Sequence, residues 1–115
     1  MTIKRFQAGP RMSQAVVHGN TVYLAGQVAD NPVPSVTKQT QQVLKRIDKQ
    51  LKAAGTNKSK ILSVNIWLSD IRTFDEMNAV WDKWVHKDAK PARATVESRL
   101  AGPQYLVEIM CVAAK

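Results

Sequence analysis

Apolar and small residues recur at spacings of three and four along the second third of the chain. They occupy Val36, Thr40, Val43, Ile47, Leu51 and Ala54. Because this spacing lines one face of an α-helix, the pattern predicts a helix of about five turns. Gly55 follows at the position where helices commonly end, since glycine readily adopts the left-handed backbone of a C-terminal cap.

Alternation of apolar and polar residues predicts strands on both sides of this helix. In the stretch AVVHGNTVYLAG, residues 15–17 and 22–25 are strand-like, and Gly19–Asn20 between them is typical of a hairpin turn. After the helix, the stretch ILSVNIWLS alternates in the same way. Two further strands are predicted in the stretches KPARATVES and YLVEIMCVAA.

A second helix is predicted between residues 73 and 85. Its apolar stripe consists of Phe74, Met77, Trp81, Trp84 and Val85. We interpret the tryptophans of this stripe as core or interface residues rather than as a ligand cage. Thr73 and Glu76 have the spacing of a capping box, in which the two side chains would close the first turn of the helix.

The predicted order β-β-α-β-α-β-β indicates an α+β protein with a single domain over residues 1–115. One sheet with two helices on one face satisfies this order. The other face would then be uncovered, which is unfavourable for apolar strands, so we expect sheets of several subunits to pack together. The residues expected at that contact are Val107, Ile109 and Cys111, or else their neighbours Met110 and Val112.

Composition is that of an ordinary globular protein. Hydrophobic residues make up 44% of the chain and charged residues 23%, and no apolar run approaches the roughly 20 residues that span a bilayer. The N-terminal residues lack an apolar leader segment, and the single cysteine, Cys111, cannot form an internal disulfide. We therefore expect a cytoplasmic protein with no membrane partner, in which Cys111 is buried and inert.

The net charge of +8 is unusual and admits anionic partners. Many lysines lie between Lys38 and Lys60, either as a solvated helix face or as a phosphate-binding surface. Aromatic residues do not interleave with these lysines, as they would on a stacking platform for single strands. Nucleic-acid binding is thus possible in principle, and we expect it to be weak.

Two charged residues interrupt strand patterns. Arg93 lies in the alternating stretch after Pro91, and Glu108 interrupts the apolar last strand. A carboxylate in such a strand must be hydrogen-bonded, paired or open to a cleft. One interpretation is a cross-strand ion pair of Glu108 with Arg93 or Arg99, and the other is a catalytic site; the spacing favours neither.

The sequence lacks the residues that other classes of catalytic site require. His18 and His86 are far apart and have no ligand spacing, so we expect no metal site. The sequence contains no glycine-rich phosphate loop and no nucleophile elbow. We expect no cofactor.

Four stretches, VYLAGQVA, FDEMNAVWDKW, PARATVE and VEIMCVAA, resemble the RidA/YjgF family of enamine/imine deaminases in order and spacing. The resemblance runs from about residue 13 to residue 113, and its most specific part is PAR followed by VEI. It implies a chorismate-mutase-like fold. It also implies a homotrimer whose sheets pack into a barrel, with three clefts between neighbouring subunits.

The implied activity is hydrolysis of reactive 2-imino or enamine acids to 2-keto acids and ammonia, as in 2-iminobutanoate/2-iminopropanoate deaminases. By position, Arg93 matches the arginine that binds the substrate carboxylate, a task that suits its planar fork. Glu108 matches the glutamate near the attacking water. The remaining substrate-binding positions are Asn78, Gly26, Gln27 and Thr95.

The chain departs from the family pattern at three places. Ala25 replaces a serine, Thr95 replaces a cysteine, and Met12 or Ser13 replaces a tyrosine. We expect an altered substrate preference with the anion-binding arginine retained. Two other classes of function stay open. One is a function on RNA, because relatives are also described as ribonucleases and translation inhibitors. The other is a trimer that senses a ligand without catalysis, which would use the same cleft.

Overall fold

The computed structural model describes residues 1–115 and contains one six-stranded sheet and two α-helices. The elements are β1 (Ile3–Phe6), β2 (Ala15–His18), β3 (Thr21–Leu24), α1 (Val36–Ala53), β4 (Ile61–Leu68), α2 (Phe74–Trp84), β5 (Ala92–Glu97) and β6 (Val107–Ala114). Single 3₁₀ turns at Lys58–Lys60 and Ile71–Thr73 lead into β4 and α2. The prediction of one sheet with two helices is confirmed.

Strand β1 is the one element that the sequence pattern did not predict. It pairs antiparallel with β2, from Ile3 opposite His18 to Phe6 opposite Ala15. Three of its four residues are exposed. No apolar alternation marks this strand, because only Phe6 packs against the core and backbone pairing at the sheet edge holds the rest.

The sheet order is β1-β2-β3-β6-β4-β5. Every pair is antiparallel except β4 and β5, which are parallel because α2 crosses over between them. The last strand of the chain therefore lies in the middle of the sheet. Strand β5 is an edge strand, and β4 separates it from β6.

Register assigns the strand residues to two faces. Val64, Ile66 and Leu68 of β4 lie beside Cys111, Ile109 and Val107 of β6. All six are buried in the core together with residues of α1 and α2. The alternate residues, among them Glu108, Met110 and Val112, lie on the face that the helices leave open. Of the two sets expected at a subunit contact, only Met110 and Val112 are available.

Helix α1 confirms its prediction. The side chain of Ser35 caps its first turn by accepting a hydrogen bond from the backbone N–H of Lys38 at 3.1 Å. Ala54 is the C-terminal cap, and Gly55 follows with a φ of +88°. A residue with a side chain would be strained in this conformation, so glycine ends the helix.

The prediction of a capping box at the start of α2 is wrong. Thr73 makes no side-chain cap and instead donates its hydroxyl to the carbonyl of Asp70 at 2.7 Å. The Glu76 carboxylate accepts hydrogen bonds from the backbone N–H and the hydroxyl of Thr37, at 3.1 and 3.0 Å. Glu76 therefore connects α2 to α1, because a partner on another element competes with the local backbone N–H.

Cys111 is 1% exposed within the core. Burial raises the pKa of its thiol to about 12, which keeps it protonated and unreactive near neutral pH. This agrees with the expected inert cysteine. Neither helix is long and apolar enough to cross a membrane.

Candidate functional site

Arg93 lies on the helix side of edge strand β5. Its Nη1 donates a hydrogen bond to Oδ1 of Asn78 on α2 at 2.7 Å. Its guanidinium carbon lies 5.1 Å from the ring centroid of Trp81 and 5.8 Å from that of Phe74. These distances are within the range of cation–π contacts, so two rings and one amide hold the guanidinium in place.

No carboxylate neutralises Arg93. The ion pairs in the structure join Arg46 to Asp30 and Arg72 to Asp70. Burial lowers the pKa of Arg93, and the negative charge of Asp82 partly opposes this. Arginine remains charged at any physiological pH. The half-buried guanidinium therefore keeps N–H groups that can donate hydrogen bonds to an external anion.

Thr95 lies two residues further along β5, on the same face as Arg93. Its hydroxyl is buried and has no hydrogen-bond partner. An unsatisfied buried hydroxyl costs about 1–3 kcal/mol. A group that brings a donor or acceptor beside Arg93 would remove this cost. We call Arg93, Asn78 and Thr95 the arginine half-site.

Glu108 lies on the open face of β6. It is opposite Trp67 of β4 and lines a hollow of about 170 Å³. The other lining residues are Trp67, Ser98, Arg99, Leu100 and Ala101. Burial raises the pKa of Glu108 above the ordinary value of a glutamate, because a buried carboxylate is less stable in its charged form.

Gly26 lies directly beneath the Glu108 side chain. A Cβ at this position would be 3.0 Å from Cδ and 3.3 Å from Cγ of Glu108, and nearer still to Oε2. A side chain at residue 26 would thus displace the carboxylate. We call Glu108 and Gly26 the glutamate half-site.

Gln27 joins this loop to β6 through its backbone. Its N–H donates to the carbonyl of Ile109 at 2.8 Å, and the N–H of Ile109 donates back to the carbonyl of Gln27 at 3.1 Å. The whole residue is 1% exposed, and its side chain bonds to Gln14, the Ala25 carbonyl and Arg46. The backbone and the amide of Gln27 are thus bonded within the protein, and the substrate-binding role expected of this residue stays a prediction.

The two half-sites lie on opposite faces of the sheet. Arg93 is beside Val64, whose face contacts the helices, whereas Glu108 is beside Trp67 on the open face. The cross-strand pair of Arg93 with Glu108 is wrong, because β4 lies between their strands. Arg99 shares the hollow with Glu108, but the structure contains no ion pair between them. One copy of the chain does not bring Arg93 and Glu108 together.

The residues that depart from the family pattern are spread over the structure: Thr95 belongs to the arginine half-site, Ala25 adjoins the glutamate half-site, and Met12 lies apart from both. Ala25 precedes Gly26, and its N–H donates to the carbonyl of Gln14 at 2.9 Å. Met12 is 53% exposed and lines a separate hollow of about 250 Å³.

Sequence reasoning also missed the contact of Trp81 with Arg93, although the apolar stripe of α2 already placed that tryptophan on the buried face. The structure contains no group of three His, Cys, Asp or Glu that could bind a metal.

Comparison with known proteins gives the same family throughout. The sequence model of the family described as Endoribonuclease L-PSP matches residues 2–115. The RutC family protein YoaB of Escherichia coli K12 is 44% identical over 114 residues, covering 99% of both chains. A RutC family protein of Haemophilus influenzae is 42% identical over 114 residues, covering 98% of both.

Solved structures agree with these relatives. A YjgF family protein of Neisseria meningitidis superimposes with a TM-score of 0.97 at 42% identity, over 100% of this chain and 96% of the other. A Rid family protein of Yersinia pestis superimposes with a TM-score of 0.87 at 34% identity, over 94% of this chain and 90% of the other.

Proposed function

Since the chain belongs to the RidA/YjgF family, we propose that it hydrolyses 2-imino acids to 2-keto acids and ammonia at clefts between subunits. The observation that carries this proposal is the unpaired, ring-supported guanidinium of Arg93 together with a half-buried carboxylate, Glu108, on the opposite sheet face. The Arg93 guanidinium suits a carboxylate ligand, and the Glu108 carboxylate suits proton transfer.

In the proposed assembly each cleft takes Arg93 from one copy and Glu108 from its neighbour. Exposed apolar residues on the open face support such packing. Tyr23 is 46% exposed beside Val112, and Val96 is 50% exposed beside Trp67. Burying them against another copy would be favourable by about 25 cal/mol per Å² of apolar surface. We expect a homotrimer, and a clean monomer of 12.8 kDa in sedimentation equilibrium would contradict this arrangement.

The proposed chemistry uses one water molecule. The substrate carboxylate binds the Arg93 guanidinium, and the water attacks the imine carbon while Glu108 accepts one of its protons. The proton is then passed to the former imine nitrogen, which gives the carbinolamine. The hydroxyl proton of the carbinolamine is transferred to the same nitrogen as the C–N bond breaks and the carbonyl forms, so imine and water are converted to keto acid and ammonia without a redox step.

A mixing experiment tests whether the site is shared. Arg93→Ala and Glu108→Ala should each lose about 10²-fold or more in activity, with imine substrate produced in situ by an amino acid oxidase. Random one-to-one co-assembly of the two variants should restore roughly a quarter of the sites, since those sites draw both intact residues from different copies. Arg72→Met is a matched control, because Arg72 is exposed and contacts only Asp70 among acidic residues.

Activity that does not return on mixing, although the two variants co-assemble, would exclude a shared Arg93–Glu108 site. Wild-type protein without activity toward any imino acid of a broad panel would exclude the deaminase proposal. A keto acid such as pyruvate is a useful probe in that case, since its binding reports the anion site without catalysis.

A second candidate function is RNA binding, because the matching family is described as Endoribonuclease L-PSP. Exposed lysines of α1 take part in no ion pair. A surface that neutralises about six phosphates loses on the order of 10³-fold or more in affinity as salt rises to physiological strength. RNA binding that persists at physiological salt, with no keto-acid binding, would favour this function over the deaminase.

A further inference from the structure

The loop that carries Gly26 is attached to helix α1 by a partly buried polar network. Gln27 occupies its centre and uses both ends of its amide. Its Nε2 donates to Gln14 Oε1 at 3.0 Å and to the Ala25 carbonyl at 2.9 Å, and its Oε1 accepts from Nε of Arg46 at 3.0 Å. The network thus connects the residue before β2, the loop and α1.

Arg46 closes this network from the solvent side. While Nε bonds Gln27, Nη1 forms an ion pair with Asp30 further along the same loop. Gln42, one turn earlier on α1, exchanges two hydrogen bonds with the backbone of Asn31, at 2.9 and 2.8 Å. Helix α1 therefore holds the loop at both ends of residues 27–31.

The position of this loop affects Glu108 through backbone hydrogen bonds. Gln27 and Ile109 exchange two backbone hydrogen bonds, and their chain neighbours are Gly26 and Glu108. Because Gly26 lies beneath the Glu108 side chain, a small shift of the loop changes the space in which the carboxylate lies. Active-site groups need supporting contacts that fix them within about 0.5 Å.

We propose that Arg46 is a positioning residue, which orients the Glu108 carboxylate through Gln27 and Gly26 without touching the substrate. This role rests on the proposed function insofar as Glu108 handles the proton. Removal of the Arg46 side-chain donors should free the Gln27 amide and allow the loop to move away from β6. The carboxylate would then become more solvated and less well oriented.

Arg46→Met tests the proposal, because methionine retains an apolar stem and removes the donors and the charge. Arg72→Met is the matched control, since it breaks an equivalent arginine–aspartate pair that touches no part of the network. Two readouts need no catalysis: hydrogen exchange at the amides of Gln27 and Ile109, and the carboxyl titration of Glu108 followed by carbon NMR. Arg99 is the other charged group in the hollow and is unchanged in both variants.

We expect Arg46→Met to speed exchange at both amides by roughly tenfold or more and to move the Glu108 titration toward its ordinary pKa. For imine hydrolysis, kcat should fall about tenfold with KM nearly unchanged, because Arg93 lies on the other sheet face. Arg46→Lys, which keeps the charge but lacks the fork, should recover part of this loss. Wild-type exchange and titration in Arg46→Met would overturn the positioning role. An inactive wild type with shifted exchange and titration would instead remove only the deaminase proposal.

Discussion

Replacing Gly26 with alanine tests the glutamate half-site with a single methyl group. The added Cβ would lie 3.0 Å from Cδ of Glu108, whereas carbon atoms prefer separations of roughly 3.5–4.0 Å. The carboxylate must therefore move by about 1 Å or adopt another rotamer. The backbone itself accepts alanine, since Gly26 is not among the glycines with positive φ.

The expected effects on stability and activity differ greatly in size. Alanine removes conformational freedom from the unfolded chain, which stabilises by about 0.4–1 kcal/mol. Forcing the Glu108 side chain off its rotamer costs about 0.5–1.5 kcal/mol, so the free energy of unfolding should stay within about 1 kcal/mol of wild type. A displacement of 1 Å in a reacting group can cost about 10²-fold in rate. We expect Gly26→Ala to lose activity while it stays folded.

The assay is steady-state hydrolysis of an imino acid produced in situ, with urea unfolding measured on the same samples. Gly9→Ala is the matched control, because its Cβ would meet only the Met12 carbonyl oxygen at an ordinary 3.8 Å. In a Glu108→Ala background, Gly26→Ala should cause no further loss. Full activity of Gly26→Ala, or an equal loss in the absence of Glu108, would refute the steric account of this half-site.

Three further predictions concern single side chains. Arg93→Ala should lose about 10²- to 10³-fold in kcat/KM, and Arg93→Lys should recover little of that activity. Arg93→Ala should stay folded, since Arg93 has no ion-pair partner, and its unfolding at moderate temperature would contradict this. Thr95→Val should leave the free energy of unfolding unchanged or raise it by up to about 1 kcal/mol, because the Thr95 hydroxyl is buried without a hydrogen-bond partner. A clear decrease of this free energy, measured by urea unfolding, would show that the hydroxyl has a partner. Burial raises the folded pKa of Glu108, so its contribution to stability is fully present below the unfolded pKa and lost as pH rises through the folded value. Glu108→Gln should therefore unfold at a higher temperature than wild type at pH 7, with the difference vanishing below about pH 4; equal shifts at both pH values in calorimetry would argue against burial as the cause.

The sequence by itself determined the elements whose signals are local or periodic. The apolar spacing of α1 and Gly55 gave the bounds of that helix within a residue. The alternation of β4 and β6 separated core residues from the others, because successive strand side chains point to opposite faces. Four short stretches were enough to indicate the family, which the comparisons confirm.

Local signals failed where a distant element supplied the partner. Thr73 and Glu76 have capping-box spacing, but Thr37 on α1 takes the carboxylate. Strand β1 has no pattern of its own, because β2 provides its hydrogen bonds. In both cases the deciding contact is between residues far apart in the chain, which periodicity cannot detect.

Only the tertiary structure decided the relation between Arg93 and Glu108. Alternation gives the phase of each strand separately, but the face that two strands share depends on which strands pair and in what register. Here β4 pairs with both β5 and β6, and its Val64 and Trp67 point to opposite sides. The same holds for the contact of Gly26 with Glu108 and for the Arg46–Gln27 bond, since each joins segments that meet only when the sheet and α1 have packed.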